Sequence, residues 1–272
     1  AAVFTVKGCS YECVTCGSSQ MTCTHLTRRQ RPVFRSPASL VANVEAFARL
    51  TKGPIALIGD LRQAGPEHAR EVLERLRSAG VRNEILFELF GVPPADFLRD
   101  IDRCVPHWSI EFSPESHDQA VRDAQEGEGD YTTEAMEEML KEALRLRCER
   151  LDVFFMIGLP AQTIDSVRAT VDYCEHLFGL GDARLSCYIS PMGPFLDPGS
   201  RGFEEPERFG YRLFARSLEE HRQLLVQPSW ERILNYETRW MTRRELVDAT
   251  YDAAERLNEL KIRYGRISPR RG

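Results

Sequence analysis

The sequence predicts an α/β fold, a partial (β/α)6 barrel of the TIM type that is followed by a helical extension. Short apolar runs alternate with segments of helical periodicity up to about residue 191, which is typical of βα units that build a parallel sheet. The residues best suited to chemistry follow these runs, where a βα barrel collects its site. We therefore expect a core barrel over residues 1–192 and a helical extension over residues 193–272.

Six runs of apolar and β-branched residues predict the strands of the barrel. Each run is soon followed by a glycine, a proline or a small polar residue that suits a turn. The runs cover residues 3–6, 54–58, 84–89, 108–112, 151–157 and 184–189. Because a closed barrel of this type has eight units, six units predict a partial one.

Start and stop signals define the helices. Ser36, which precedes a proline, suits the start of a helix. Gly80 suits the end of the next helix, and Thr132 suits the N-cap of a later one. Helical periodicity predicts helices over residues 36–50, 66–79, 94–103, 117–124, 132–144 and 163–177, and in the extension over residues 207–225 and 242–261. We expect irregular structure over residues 27–35 and 194–206.

Composition narrows the choice of partners and location. The chain has 272 residues, and its 42% hydrophobic content is enough to bury a large core. A formal net charge of −5 does not favour binding to nucleic acid or to an anionic membrane. The sequence contains no apolar run of membrane-spanning length and no secretory signal. We therefore expect a cytoplasmic protein whose partner is a small molecule or another protein.

Cys9, Cys13 and Cys16 follow the first strand on one short loop. Thiolates are soft ligands that suit iron-sulfur clusters, zinc or copper(I). A structural zinc site needs four ligands, and Cys23 or His25 is the nearest candidate for the fourth. An iron-sulfur cube takes one thiolate per iron, so three cysteines leave one iron open to a small ligand. The spacing alone leaves both metals open.

The other five cysteines are scattered singly along the chain. A small disulfide-stapled scaffold would space them closely, whereas single cysteines in a long chain are typical of buried free thiols. We expect free thiols at Cys23, Cys104, Cys148, Cys174 and Cys187.

The pattern Cys9-x3-Cys13-x2-Cys16 directly after a first strand, with five further βα units, resembles the radical S-adenosylmethionine (SAM) enzymes. The resemblance implies that the three cysteines hold a 4Fe-4S cluster and that SAM binds the open iron. It implies reductive cleavage of SAM to methionine and a 5′-deoxyadenosyl radical. It also implies a small-molecule substrate and an electron donor such as flavodoxin or ferredoxin. The cofactor supplies the radical chemistry, and the protein positions it and excludes water.

Three further motifs resemble the subgroup that carries a cobalamin-binding domain ahead of the radical domain. They are the segments at residues 113–116, 155–163 and 235–240. The sequence starts without Met at a strand pattern, and we expect it to be a fragment that lacks that N-terminal domain. The chain has no Asp-x-His-x-x-Gly cobalamin motif. Cobalamin-assisted methylation and cyclisation or rearrangement both stay open as reactions.

The resemblance also assigns residues to SAM. The adenine would lie between Thr15 on one side and Ile157 with Gly158 on the other. Gly59 and Asp60 would contact the SAM amino group, and Ser113 and Glu115 would contact the ribose. Arg122 would contact the SAM carboxylate. Several of these residues also suit ordinary turns and helix starts. Glu88 is a further acid that we expect either near the substrate or in a structural role.

Two alternatives to an active radical enzyme follow from the same residues. One is a non-catalytic zinc-binding module that uses the three cysteines with Cys23 or His25. The other is a degenerate barrel that binds SAM without cleaving it. The basic run Arg28, Arg29, Arg31 and Arg35 is typical of a solvated surface, and a phosphate or carboxylate substrate would give it a further use.

Overall fold

The computed structural model describes residues 1–127, 131–193 and 195–268. Pro194 and residues 269–272 of the predicted extension lie outside the described residues. The described strands are β1 (Ala2–Phe4), β2 (Val6–Lys7), β3 (Val33–Phe34), β4 (Ile55–Ile58), β5 (Ile85–Leu89), β6 (Trp108–Glu115), β7 (Cys148–Ile157), β8 (Leu185–Pro191), β9 (Tyr211–Leu213) and β10 (Tyr236–Thr238).

The helices occupy the segments between these strands and most of the extension. They are α1 (Gln20–Thr27), α2 (Pro37–Leu50), α3 (Pro66–Ala79), α4 (Ala95–Cys104), α5 (Gln119–Gln125), α6 (Thr133–Arg145), α7 (Ile164–Phe178), α8 (Arg201–Glu204), α9 (Leu218–Leu225), α10 (Trp230–Ile233) and α11 (Arg243–Arg263). Of the helices in the described ranges, none is both long and apolar enough to cross a membrane.

One six-stranded sheet organises the fold, and it confirms the predicted partial barrel. Its order is β1, β4, β5, β6, β7, β8, and every pair in it is parallel. Parallel neighbours need a crossover connection, and α2, α3, α4, α6 and α7 run between successive strands. Because each unit adds its strand next to the previous one, the carboxyl ends of all six strands meet at one edge.

The core runs through the sheet into the extension. Trp108, Phe87, Phe112 and Phe155 are fully buried on the sheet, and Tyr236 from the extension is equally buried. Helix α11 packs against α7 and β8. The extension therefore contributes apolar surface to the same core, while the predicted boundary at residue 192 stays a prediction.

The structure corrects the predicted first strand. The run over residues 3–6 is divided at Thr5, whose amide and hydroxyl both donate to Ile58 O, at 2.9 and 3.0 Å. Strand β2 then leaves the main sheet and pairs antiparallel with β3. The predicted irregular stretch over residues 27–35 is therefore wrong for β3. Strand β3 exists only through its pairing with the distant β2, which no local pattern shows. Helix α1 was not predicted either, although Ser19 caps its start.

The predicted helix over residues 207–225 is wrong in its first half. Gly210 has a φ of 75°, which interrupts a helix, and β9 follows it in antiparallel pairing with β10. The helix begins only after Ser217, where Ser217 and Glu220 form a capping box. The helical periodicity of this segment is thus overridden by its partner strand.

The buried sheet predicts a large stability difference between two phenylalanines. Phe112 is 0% exposed in β6 and Phe4 is 64% exposed in β1. We expect Phe112→Ala to lower the free energy of unfolding by about 3–5 kcal/mol, because it leaves a cavity in the core. Phe4→Ala should change it by less than about 0.5 kcal/mol. Urea unfolding followed by circular dichroism compares the two, and equal losses would contradict the burial of Phe112.

Candidate active site

The carboxyl ends of the sheet strands gather most of the residues predicted for the site. The cysteine loop (Gly8–Gly17) follows β2, Gly59 and Asp60 follow β4, Ser113 and Glu115 lie at the end of β6, and Gly158 follows β7. Between β4 and β5, Gly59 N donates to Glu88 Oε2 at 2.5 Å. The structure therefore brings the predicted residues to one edge of the sheet.

Hydrogen-bond donors approach two of the sulfurs in the cysteine loop. The amide of Tyr11 lies 3.5 Å from Cys9 Sγ, and the amide of Ser18 lies 3.3 Å from Cys16 Sγ. The side-chain amide of Gln63 also approaches Cys9 Sγ at 3.5 Å. N–H groups directed at sulfur favour the thiolate form, because they stabilise its charge. The environment therefore suits thiolate ligands.

The donor set fits an iron-sulfur cluster in chemistry. None of the three cysteines forms a disulfide within the described residues, and a Cβ at Gly127 would lie only 3.0 Å from Cys13 Sγ, so a glycine lets the chain pass close to this thiol. In the described ranges, no three His, Cys, Asp or Glu side chains already form a metal-binding group.

The two residues proposed as a fourth zinc ligand have backbone partners. His25 Nδ1 lies 2.9 Å from Met21 O within α1, and Cys23 Sγ lies 3.6 Å from Ser18 O. Cys104, Cys148, Cys174 and Cys187 are buried free thiols, which confirms the prediction for these four, whereas Cys23 is a free thiol that is only partly buried.

The extension braces the cysteine loop through residues that the sequence did not reveal. Gly17 N donates to Asp197 Oδ2 at 3.0 Å, across 180 residues of chain. Arg201 Nη1 donates to Glu12 O at 3.0 Å and pairs with Glu126 at 2.6 Å. Gly202 N donates to Val14 O at 2.7 Å. Such contacts leave no local pattern in the sequence, so no signal there could have identified them.

Gln125 links the cysteine loop to Glu115. Its carbonyl accepts from Val14 N at 2.9 Å, and its side-chain amide donates to the Thr15 hydroxyl. Its side chain also hydrogen-bonds Glu115. Glu115 has a φ of 63°, an uncommon conformation for a residue other than glycine, which is often found at functional sites. Burial raises the pKa of the Glu115 carboxyl to about 7, against the lowering effect of the Gln125 bond.

A tyrosine pair from the extension closes the end of β7. Tyr211 Oη donates to Gly158 O at 2.9 Å, and Tyr236 Oη donates to Met192 O at 3.1 Å. Gly158 has a φ of 101°, and a Cβ there would lie 2.6 Å from Tyr236 Oη. Both the backbone conformation and the space therefore require glycine.

A radical SAM superfamily model matches residues 3–174, which is more than half of the chain. The chain belongs to the radical SAM superfamily. No curated protein sequence matches it closely enough to count as a relative. Membership implies a 4Fe-4S cluster and SAM as cofactors, and the cysteine loop is the part of this chain that suits the cluster. The zinc-module alternative gains no support from this match.

Solved radical SAM structures share the fold over nearly the whole chain. The methyltransferase TsrM from Kitasatospora setae, with cobalamin and a [4Fe-4S] cluster bound, matches with a TM-score of 0.65 and 16% identity over 96% of this chain and 51% of TsrM. Its complex with tryptophan and the SAM analogue aza-SAM matches with a TM-score of 0.66 and 16% identity over 96% of this chain and 52% of TsrM. The FeFe-hydrogenase maturase HydG from Carboxydothermus hydrogenoformans matches with a TM-score of 0.50 and 14% identity over 96% of this chain and 56% of HydG. The chain thus spans about half the length of these structures.

Two residues assigned to SAM by the radical SAM resemblance are occupied by other partners. Asp60 is buried, and its carboxylate accepts from Arg62 and, at 3.1 Å, from Phe90 N. Arg122 donates to Ser116 O at 2.8 Å and to His117 O at 2.9 Å. The predicted contacts of Asp60 with the SAM amino group and of Arg122 with the SAM carboxylate therefore gain no support.

Glu88, which lies on β5 next to β4, is a second acid beside Gly59. Its Oε2 accepts from Gly59 N, and burial raises the pKa of its carboxyl, with Glu111 and Asp60 adding to the increase.

A register irregularity between Phe112 and Glu115 changes the direction of side chains at the end of β6, where Ser113 lies. Ile157 is buried at the end of β7.

The brace predicts that Arg201 controls access to the cysteine loop. The Arg201 side chain is 13% exposed. Arg208 also lies 5.0 Å over the Phe209 ring, but its side chain is 58% exposed, and among the described residues Glu205 is its one ion-pair partner. We expect Arg201→Met to speed alkylation of Cys9 and Cys16 in the metal-free protein about tenfold, because a partly buried hydrogen bond and ion pair are lost. Mass spectrometry of alkylated peptides measures this, and an equal effect of Arg208→Met would contradict the brace.

The raised pKa of Glu115 predicts a loss of stability with rising pH. The folded state keeps a proton that the unfolded chain releases above the ordinary value of 4.5, so the free energy of unfolding falls between pH 4.5 and about 7. The loss is at most about 3 kcal/mol. Glu115→Gln should remove the share of the decline that is due to Glu115 and leave a shallower one from the other carboxyls with raised pKa values, whereas Glu255→Gln on the exposed face of α11 should leave the decline unchanged. Urea unfolding at several pH values decides, and a parallel decline in wild type and Glu115→Gln would contradict the assignment.

Proposed function

We propose that this radical SAM chain reductively cleaves SAM at a 4Fe-4S cluster held by Cys9, Cys13 and Cys16. The observation that carries the proposal is the cysteine loop at the carboxyl edge of the sheet, with amides directed at Cys9 and Cys16. Its third thiol, Cys13, is buried. A set of three thiolates leaves one iron open, which is what chelation of SAM requires.

The residues around the loop suggest how SAM is held. SAM carries a cationic sulfonium and an ammonium group, and the half-buried Glu88 beside Gly59 is the acid that suits the ammonium. Thr15 and Glu115, joined through Gln125, are proposed for the adenosine side. Ile157 and Gly158 are proposed for the adenine. When bound, the reduced cluster supplies the electron that breaks a carbon–sulfur bond of SAM.

The protein's own contribution in this proposal is orientation and exclusion of water. The Tyr211 and Tyr236 hydroxyls are buried and fully used by backbone carbonyls, so they close the site without offering a proton. Burial raises the pKa of Tyr236 above its ordinary value and keeps the phenol neutral. We propose a small-molecule substrate, a one-electron donor and a cytoplasmic location for this activity.

Methylation assisted by cobalamin is the second candidate, and it depends on the likeness to TsrM. That likeness reaches over 96% of the chain and therefore includes the extension. The TsrM structures hold cobalamin in one case and tryptophan with aza-SAM in the other. No Asp-x-His-x-x-Gly motif occurs in these 272 residues, so in this proposal a cobalamin-binding domain of that kind would lie outside them. A transfer of labelled methyl from SAM to product distinguishes methylation from cyclisation or rearrangement.

Anaerobic reconstitution with iron and sulfide tests the proposed cluster. The wild-type protein should bind about four irons per chain, turn brown, and release 5′-deoxyadenosine when it is reduced in the presence of SAM. Cys13→Ala should lose the cluster, because it removes one of three ligands. Cys23→Ala is the matched control and should keep it.

The outcomes separate the alternatives. A colourless wild-type protein that contains zinc, and that loses it in Cys23→Ala, would overturn the proposal in favour of the zinc module. A protein that binds the cluster and SAM but forms no 5′-deoxyadenosine would indicate a degenerate barrel.

A further inference from the structure

The residues around the cysteine loop have an unusual charge distribution. Residues 1–44 contain one acidic residue, Glu12, although the whole chain has 41. The same stretch contains Lys7 and the four arginines Arg28, Arg29, Arg31 and Arg35. In a chain with a net charge of −5, this stretch is strongly basic. We call the surface formed by Lys7, Arg28, Arg29, Arg31 and Val33 the basic face.

The cations of the basic face have no acidic partner among the residues that the structure describes. Most described arginines elsewhere pair with a carboxylate, as Arg75 does with Glu71 at 2.8 Å. Within the described ranges, no ion pair involves a residue of the stretch 1–44. Lys7, Arg28 and Arg31 are exposed. Their charge therefore acts on approaching molecules instead of being neutralised within the fold.

The basic face lies directly on the cysteine loop. Lys7 pairs with Val33 in the β2–β3 ladder, two residues before Cys9. A Cβ at Gly8 would lie 3.5 Å from Pro32 Cα, so the segment that carries Arg31 packs against the residue next to Cys9. Arg29 N donates to Cys23 O at 3.2 Å and joins the same segment to α1. Anything that docks on this face comes within a short distance of the cysteines.

A helix dipole does not account for all of these cations. Arg28 is the C-cap of α1, where a positive charge is favoured. Lys7 lies on another element, and Arg31 lies beyond the last turn of α1. Val33 and Leu26 add exposed apolar side chains between the charges. Apolar contacts inside a charged border are typical of a protein interface.

We propose that the basic face is the docking surface for an acidic one-electron carrier protein, which delivers the electron for SAM cleavage. The inference rests on the proposed function, because that reaction consumes an electron at the cysteine loop. On docking, the reduced carrier loses one electron and the cluster gains it, and no bond forms or breaks. Electrostatic attraction raises the encounter rate, and the small contact area of such complexes lets the carrier leave again.

A matched pair of charge reversals tests the docking surface. Arg28→Glu/Arg31→Glu alters the basic face. Arg49→Glu/Arg82→Glu changes the net charge equally at exposed residues that precede β4 and β5, at the opposite edge of the sheet. Stopped-flow loss of visible absorbance measures reduction of the reconstituted cluster in the full-length protein, by a reduced acidic ferredoxin and by dithionite.

We expect the basic-face variant to be reduced by ferredoxin about tenfold more slowly than wild type at about 0.05 M salt. The control pair should change the rate less than about twofold, and raising salt to about 0.5 M should remove most of the difference. Dithionite should reduce all three proteins at rates within about twofold. Arg28→Gln/Arg31→Gln should show a smaller loss of the same kind, because it removes charge without reversing it.

Several results would overturn the docking surface. Ferredoxin could reduce all the proteins at equal rates, or both charge-reversal variants could lose reduction rate equally. The basic-face variant could also be slowed with dithionite as much as with ferredoxin. One result would overturn only the docking surface and leave the proposed function intact. In that case the wild-type protein cleaves SAM with dithionite, and ferredoxin reduces the variants as fast as it reduces wild type. A wild-type protein without a reducible cluster overturns both.

Discussion

Hydrogen bonds from three distant parts of the chain hold the cysteine loop at the edge of the sheet. Gln63 reaches Cys9, Gln125 holds Val14, and Asp197 holds Gly17. A short loop of small and polar residues cannot fix its own conformation, since ordering each residue costs about 1–2 kcal/mol of backbone entropy. The loop therefore takes its shape only when both the barrel and the extension have folded. In the proposed function, cluster binding and folding of the extension would be coupled through these contacts.

The parallel sheet explains why partly buried acids collect beside that loop. Glu88 and Glu115 come from the ends of different strands, and burial raises the pKa of both carboxyls. A buried carboxyl without a cation favours its neutral form, whereas a bound cation favours the carboxylate. In the proposed function, SAM supplies sulfonium and ammonium charges at this edge. Binding of a cationic ligand and deprotonation of these acids would then support each other, because the two equilibria are linked.

The two sides of the cysteine loop differ in charge. The extension brings Asp197 to Gly17, and Arg201 pairs with Glu126, so the carboxylates on that side are used within the fold. The charged residues within the stretch 28–35 are all arginines, and none of them has an acidic partner among the described residues. The braced side suits a fixed structural contact, while the unpaired side suits a transient partner.

Local signals in the sequence were enough for the strands of the sheet, the helix caps at Ser36 and Thr132, and the cysteine spacing. Apolar periodicity, capping residues and a metal-ligand pattern all act over a few neighbouring residues, so the sequence alone determined the barrel and the family. The tertiary structure decided the rest. It formed strand β9 within a segment of helical periodicity. It also paired the Asp60 carboxylate with Arg62 and hydrogen-bonded the Thr15 hydroxyl to Gln125. Each of these depends on partners brought together by the fold, and Asp197 meets Gly17 across 180 residues, beyond the reach of any local pattern.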